Sequence, residues 1–274
     1  MHRTEVEALA LGLLHGPVEL VPVSSSGHVA AATWLLGWED GARRKELEVA
    51  LHTGTAAALL LVARPRRVRP GLLVAASAPP MLLGFVLERP IEERLGPATL
   101  AAGLVTGALA LVLADRAPAC RGDESARSAD GLALGFAQAA ALIPGVSRSG
   151  ATLAAARARG FDRASASRLS WEVALPVLAG ATALKAWRVA TRARTADSSR
   201  GAASSPAASP QGASSPAAGS PVRPLALGAA AAFSSTLATA RLIGIERRGP
   251  LWPWAAWRVA LAGAILAVRQ NRSR

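Results

Sequence analysis

The sequence predicts an all-α polytopic membrane protein. It reads as one membrane domain over residues 1–274, with about six transmembrane helices and two re-entrant helix–loop–helix hairpins. Three observations predict it. Apolar residues fall in blocks of roughly 17 to 20, the length that crosses a hydrocarbon core of about 30 Å. Two further apolar segments are broken by Pro, Gly and a Ser-rich turn, so that neither half of either could cross alone. Those two broken segments also resemble each other: Leu11-Gly12, Ser24, Ser26 and Gly27 recur as Leu134-Gly135, Ser147, Ser149 and Gly150, each 123 residues on.

In chain order, the first broken segment runs from about 5 to 37. A span at 47–63 follows, then the charge-free spans 71–87 and 98–114, separated by a charged turn at 88–97 that holds two prolines. Residues 115–130 form a polar loop, and the second broken segment runs from about 130 to 160. Spans at 168–187, 225–243 and 250–268 complete the six. Residues 195–224 are Ser/Ala/Pro/Gly-rich and can bury almost nothing, which predicts a disordered linker. The repeat, read as about 1–115 and about 130–274, continues in EVAL at 48–51 and 172–175. Two halves that each carry a broken hydrophobic segment place a site where those segments meet.

Composition agrees. The chain is 51% hydrophobic and only 18% charged, with a mean hydropathy of +0.29. A soluble domain carries more charge. The net charge of +13 is nearly all Arg, and it gathers between apolar blocks: Arg43 and Arg44, Arg64 to Arg69, Arg269 to Arg274. Loops that flank membrane spans look like this. A nucleic-acid binder would carry its charge on one folded face, so no nucleic-acid partner is expected. The single cysteine, Cys120, excludes an internal disulfide. No cleavable signal peptide is read, because the first apolar stretch contains His15, Glu19 and Pro22.

The chemistry-bearing residues lie in the two broken segments. The first reads His15-Gly-Pro-Val-Glu19-Leu-Val-Pro-Val-Ser24-Ser25-Ser26-Gly27-His28. Buried without partners, these polar groups would cost several kcal/mol each, so they need one another, a wet cavity or a ligand. The second, Pro144-Gly145-Val146-Ser147-Arg148-Ser149-Gly150-Ala151-Thr152, offers a guanidinium, hydroxyls and open backbone N–H groups, a chemistry suited to phosphate. One loop could supply nucleophile and acid/base groups and the other could grip an anion, which are the parts phosphoryl transfer needs. Plainer roles stand beside these: the serines as helix N-caps, His28 as a solvated histidine, Arg148 as a lipid-phosphate anchor.

These residues resemble the undecaprenyl-diphosphate phosphatase family, also called the bacitracin-resistance family. Its first motif, roughly E-G-x-x-E-F-x-P-I/V-S-S-T-G-H, stands here as HGPVELVPVSSSGH. Its second, P-G-x-S-R-S-G-A-T, is present unchanged at 144–152. The similarity continues through LEVALHTGT (47–55), LSWEVALPVLAGATAL (169–184) and WPWAAWR (252–258).

The resemblance implies a fold of inverted repeats with two re-entrant hairpins. It implies a multi-pass enzyme of the bacterial plasma membrane that takes a polyprenyl diphosphate lipid to the monophosphate for cell-wall carrier recycling, and so resists bacitracin. By the same match Glu19, Ser25, His28 and Arg148 are the catalytic candidates, with Ser25 as nucleophile or its helper and His28 in acid/base chemistry. Ser147, Arg148, Ser149 and Thr152 match the diphosphate-binding loop, and Ser24, Ser26, Gly27 and Gly150 join them as phosphate-binding candidates. A divalent cation, Mg²⁺ or Ca²⁺, is implied, with Glu19 as its ligand; a homodimer stays open.

There are departures. His15 replaces the first motif glutamate, and imidazole is a poor ligand for Mg²⁺ or Ca²⁺. Ser26 replaces threonine. Glu172 stands where the family has an apolar residue and could return the missing carboxylate; Glu48, its counterpart in the repeat, is a second supporting candidate. The loss of the glutamate keeps a rival open, a polyprenyl-phosphate transporter or a catalytically impaired homologue. The lipid phosphatases related to phosphatidate phosphatase are excluded: they need a histidine after the Ser-Arg motif, and none follows His52.

Overall fold

The computed structural model describes residues 3–38, 41–62, 69–93, 96–203, 222–242 and 249–272. Among them the protein is all-helical: α1 Arg3–Leu20, α2 Ser25–Leu36, α3 Gly41–Val62, α4 Pro70–Glu93, α5 Pro97–Asp115, α6 Ser128–Ala140, α7 Arg148–Ala158, α8 Arg163–Ala203, α9 Val222–Ala240 and α10 Trp252–Arg272. A single 3₁₀ turn, Asp123–Ser125, interrupts the polar loop.

Among the described residues, two helices are long and apolar enough to cross a membrane by length and composition, Pro70–Leu87 in α4 and Pro97–Asp115 in α5. Their outward faces expose Val74, Leu82, Phe85, Val86 and Leu109, each more than half accessible. Water would penalise so much apolar surface, and lipid does not. The other expected spans fall in α3, α8, α9 and α10. The linker read at 195–224 meets helix at both ends: α8 continues to Ala203 and α9 begins at Val222. Residues 204–221 lie outside the described residues.

Both broken segments are helix–turn–helix hairpins, α1–α2 and α6–α7. Pro22 ends the first arm in one, and Pro144 with Gly145 (φ 91°) ends it in the other. Most of the helix packing follows one rule, the α7–α8 contact being an exception without an equally strong α2–α3 counterpart. α1 packs on α9 and α6 on α4; α3 packs on α9 and α8 on α4; α7 packs on α5 and α2 on α10; α3 meets α8, and α5 meets α10. Exchanging the first five helices for the last five leaves these pairings unchanged.

The repeated Leu-Gly pair explains part of this. A Cβ on Gly12 would collide with the Gly228 carbonyl of α9, and one on Gly135 would press on the Ala75 and Ala76 carbonyls of α4. The two glycines let equivalent helices approach closely, as small residues do in membrane packing.

One end of the bundle is closed by ion pairs. Arg121 and Arg159 hold Asp130, Arg168 holds Asp123, and Arg163 and Arg157 hold Asp115. The polar loop and the end of α5 are thereby tied to the start of α6, the end of α7 and the start of α8.

Candidate active site

The two hairpin turns meet in the interior. Each turn ends in a serine with positive φ, Ser24 at 77° and Ser147 at 54°, a costly conformation for a residue with a Cβ. Each of these serines caps the helix that follows: Ser24 Oγ accepts from the Gly27 N–H, and Ser147 Oγ accepts from the Gly150 N–H, both at 3.2 Å. In each turn the capping hydroxyl lies 3.3 Å from the next serine but one, Ser26 and Ser149. The capping role weighed for the serines is therefore the one Ser24 and Ser147 fill. The first N–H groups of α2 and α7 have no partner within their own helices.

Glu19, at the end of α1, joins the turns. One carboxylate oxygen accepts from Ser25 Oγ at 2.5 Å, and the other accepts from Arg148 Nη2 at 3.0 Å. Ser149 Oγ also crosses, donating to the Val21 carbonyl at 3.1 Å. Glu19 and Arg148 are both largely buried, at 7% and 15% side-chain exposure, so the pair is held in low dielectric. Arg148 Nε is buried and has no hydrogen-bond partner. A small pocket is lined by Glu19, Pro22, Arg148, Ser149, Ser167 and Ser170. An unsatisfied buried guanidinium donor on a cavity wall calls for an anionic acceptor.

Two expected site residues are used otherwise. Thr152 is fully buried; its hydroxyl donates to the Arg148 carbonyl and lies 2.5 Å from Ser170 Oγ, joining α7 to α8 instead of reaching the cavity. His28 has both ring nitrogens engaged: Nδ1 with the Ser24 carbonyl at 2.8 Å, and Nε2 accepting from Trp257 Nε1 at 2.7 Å. Through these two contacts His28 braces α2 against α10.

Glu172 does not return the lost carboxylate. Its oxygens are held by the Arg69 guanidinium, which also donates to the Asp123 carbonyl, so it belongs to the ionic end of the bundle. The physical reason is pairing: a carboxylate forked by an arginine is more stable there than beside Glu19. Glu48 enters through its backbone, its carbonyl accepting from His52 Nδ1 at 2.8 Å.

The group beside Glu19 is different. His15 is 1% exposed, its Nδ1 lies 3.0 Å from Thr55 Oγ1, and its ring meets that of His52 edge-on with centroids 4.6 Å apart. Magnesium and calcium take six or more oxygen ligands. One carboxylate, already shared by Ser25 and Arg148, beside two imidazoles does not fit them, and no step below passes through such an ion.

Arg258, which is 0% exposed, has no role in the reading of the sequence. Its guanidinium donates to the carbonyl of Pro22 in the first turn (3.3 Å), of Gly145 in the second (2.8 Å), and of Gly103 and Leu104 in α5 (3.4 and 3.2 Å). It also passes 2.7 Å from where a Cβ on Gly150 would sit, which accounts for glycine there. The signal available was one arginine inside an apolar helix, a position that at membrane depth is functional by default.

The family described as "Bacitracin resistance protein BacA" matches residues 8–264. A protein of Geobacter sulfurreducens named undecaprenyl-diphosphatase is similar at 33% identity over 287 residues, covering 96% of this chain and 97% of the relative. Proteins of the same name from Geobacter metallireducens and Trichlorobacter lovleyi are 36% and 37% identical, each covering 66% of this chain and 75% and 74% of the relative.

Proposed function

The chain belongs to the bacitracin resistance protein BacA family, and from that membership we propose that it is an undecaprenyl-diphosphatase, a hydrolase that takes a C55 polyprenyl diphosphate to the monophosphate and inorganic phosphate. The observation that carries the reading is Glu19, held between Ser25 and Arg148, with Glu19 and Arg148 both lining a small pocket and Arg148 Nε left without a partner. Arg148 and the N–H groups of α2 and α7 receive the diphosphate. Ser25 Oγ attacks the terminal phosphorus and its proton passes to Glu19. The bond from that phosphorus to the bridging oxygen breaks, and the prenyl monophosphate leaves. Water then attacks the phosphoserine, Glu19 assists, and inorganic phosphate is released. The 2.5 Å contact between Ser25 and Glu19 supports Ser25 as nucleophile, because a hydroxyl needs an adjacent base to attack. Positive charge at Arg148 offsets the charge that develops on the phosphoryl oxygens.

The architecture proposed with this reading is a multi-pass protein of the bacterial inner membrane, with about six crossings and two inverted repeats, about 1–115 and about 130–274. The exchange symmetry of the helix pairings and the matched capping serines support it. Each turn lies inside a hairpin whose arms, 18 and 12 residues or 13 and 11, suit a re-entrant loop whose irregular backbone lines a cavity.

The test is inorganic phosphate release from a C55 or C15 prenyl diphosphate by the purified protein in detergent. Release in the native protein is expected. Binding of the lipid without release would sink the hydrolase reading and favour a transporter of the same carrier.

A further inference from the structure

We propose that His15, His52 and Glu19 form a binding site for one transition-metal dication of the zinc class, at the place where the family resemblance implies Mg²⁺ or Ca²⁺. Three lines of geometry meet there. One ligand atom from each of the three residues lies within 4.8 Å of the others. His15 and Glu19 are one helical turn apart on α1, and His52 reaches in from α3. A four-coordinate ion with nitrogen ligands near 2.0 Å wants its donors roughly 3.3 Å apart, a contraction within the reach of small side-chain rotations.

The second line is an orphan atom. His15 is 1% exposed and its Nε2 is buried with no hydrogen-bond partner. A buried ring nitrogen left unpaired is unfavourable unless something binds it.

The third is the way both rings are held. His15 Nδ1 lies on Thr55 Oγ1, itself 3.2 Å from Thr236 Oγ1, and His52 Nδ1 lies on the Glu48 carbonyl. The Glu48 carbonyl only accepts, so His52 donates through Nδ1–H and keeps its Nε2 lone pair; in the tautomer that donates likewise to Thr55, His15 does the same. Metal-binding histidines are oriented in this way, by an oxygen on the far nitrogen.

Donor chemistry sets the class of ion. Two imidazoles and one carboxylate select zinc and its neighbours over the hard, oxygen-seeking dications. Three protein ligands leave a fourth position open, as in catalytic sites. Glu19 retains oxygen lone pairs beyond those engaged by Ser25 and Arg148. The ion and Arg148 would share that carboxylate, and a phosphate between them would satisfy both.

The site shares Glu19 with the phosphatase reading, so the test keeps the two apart. The full-length protein is purified, stripped with chelator and titrated with Co²⁺, whose visible d–d absorption reports coordination; Zn²⁺, Mg²⁺ and Ca²⁺ then compete. We expect one Co²⁺ per chain, displaced by stoichiometric Zn²⁺ but not by Mg²⁺ or Ca²⁺ at about 100-fold excess. In His15→Gln and His52→Gln, each checked for unchanged helical circular dichroism and elution volume, affinity falls by about 100-fold or more. Arg148→Ala keeps the band. A native protein with no band, or with Zn²⁺ no better a competitor than Mg²⁺, overturns the proposal even if it releases phosphate. A band that depends on both histidines, without phosphate release, upholds the site and overturns the phosphatase reading instead.

Discussion

Replacing Arg258 by Met should cost far more in turnover than in folding. The guanidinium is wholly buried and, among the described residues, pairs with no carboxylate; its partners are four carbonyls. Those of Gly103 and Leu104 lie within α5 and keep their helical hydrogen bonds. Those of Pro22 and Gly145 lie in the two turns and would each lose a charged donor, at about 1–3 kcal/mol apiece. Methionine would, in return, remove the several kcal/mol needed to bury an unpaired cation. The stability terms oppose each other, so the loss of stability should be small. The turns, however, would lose a side chain that bonds to a carbonyl in each, and a misplacement of about 1 Å at a reacting centre costs roughly 100-fold. The assay is phosphate release at saturating prenyl diphosphate, with thermal unfolding in the same detergent. Arg258→Lys should recover part of the rate, since an ammonium can reach only some of the four carbonyls. Turnover in Arg258→Met within threefold of native would refute the claim that this guanidinium sets the register of the turns.

Three other outcomes follow from the same geometry. Ser24→Ala loses the cap on Gly27 while keeping a strained positive φ, and should destabilise by about 1 kcal/mol in thermal unfolding, whereas Ser24→Gly relieves the strain and should come out near neutral. Gly103→Ala should lower both stability and turnover, because its Cβ would collide with the Pro144 carbonyl and force α5 away from the second turn; unchanged values of both would show that the turn is slack there. Burial pushes the Asp123 carboxyl up, but hydrogen bonds from Arg168 outweigh it and hold the folded value below the usual range. A lowered carboxylate adds stability above its unfolded value of about 3.9 that fades as pH falls through the folded value, so Asp123→Asn should show a shallower loss of stability between neutral pH and about pH 3.

Much of this site was legible because membrane chemistry leaves few reasons to keep polar residues in apolar stretches. Glu19 and Arg148 stood out for that reason, and the structure joins them at 3.0 Å. The repeat at 123 residues marked the two turns, and each has the same capping serine. What the sequence could not show was direction. Thr152 sits in the phosphate motif, but one helical turn rotates its hydroxyl onto Ser170. His28 reads as an acid/base group until Trp257, 229 residues away, takes its second nitrogen. Glu172 looked like a replacement carboxylate, and its fate was decided by Arg69, 103 residues before it. His52, in a helix read only as a span, became part of the site by the packing of α3 beside α1. Such long-range pairings have no local signature in a single sequence.

The most direct measurement is a double-mutant cycle on phosphate release, with native protein, Ser25→Ala, Arg148→Ala and the double variant assayed on one prenyl diphosphate. Ser25 and Arg148 act through one carboxylate, so each single change should cost about 100- to 1000-fold, and the double should cost little more than the worse single. Release by the native protein with losses that simply multiply, or single variants that keep near-native rates, would contradict a catalytic unit built around Glu19.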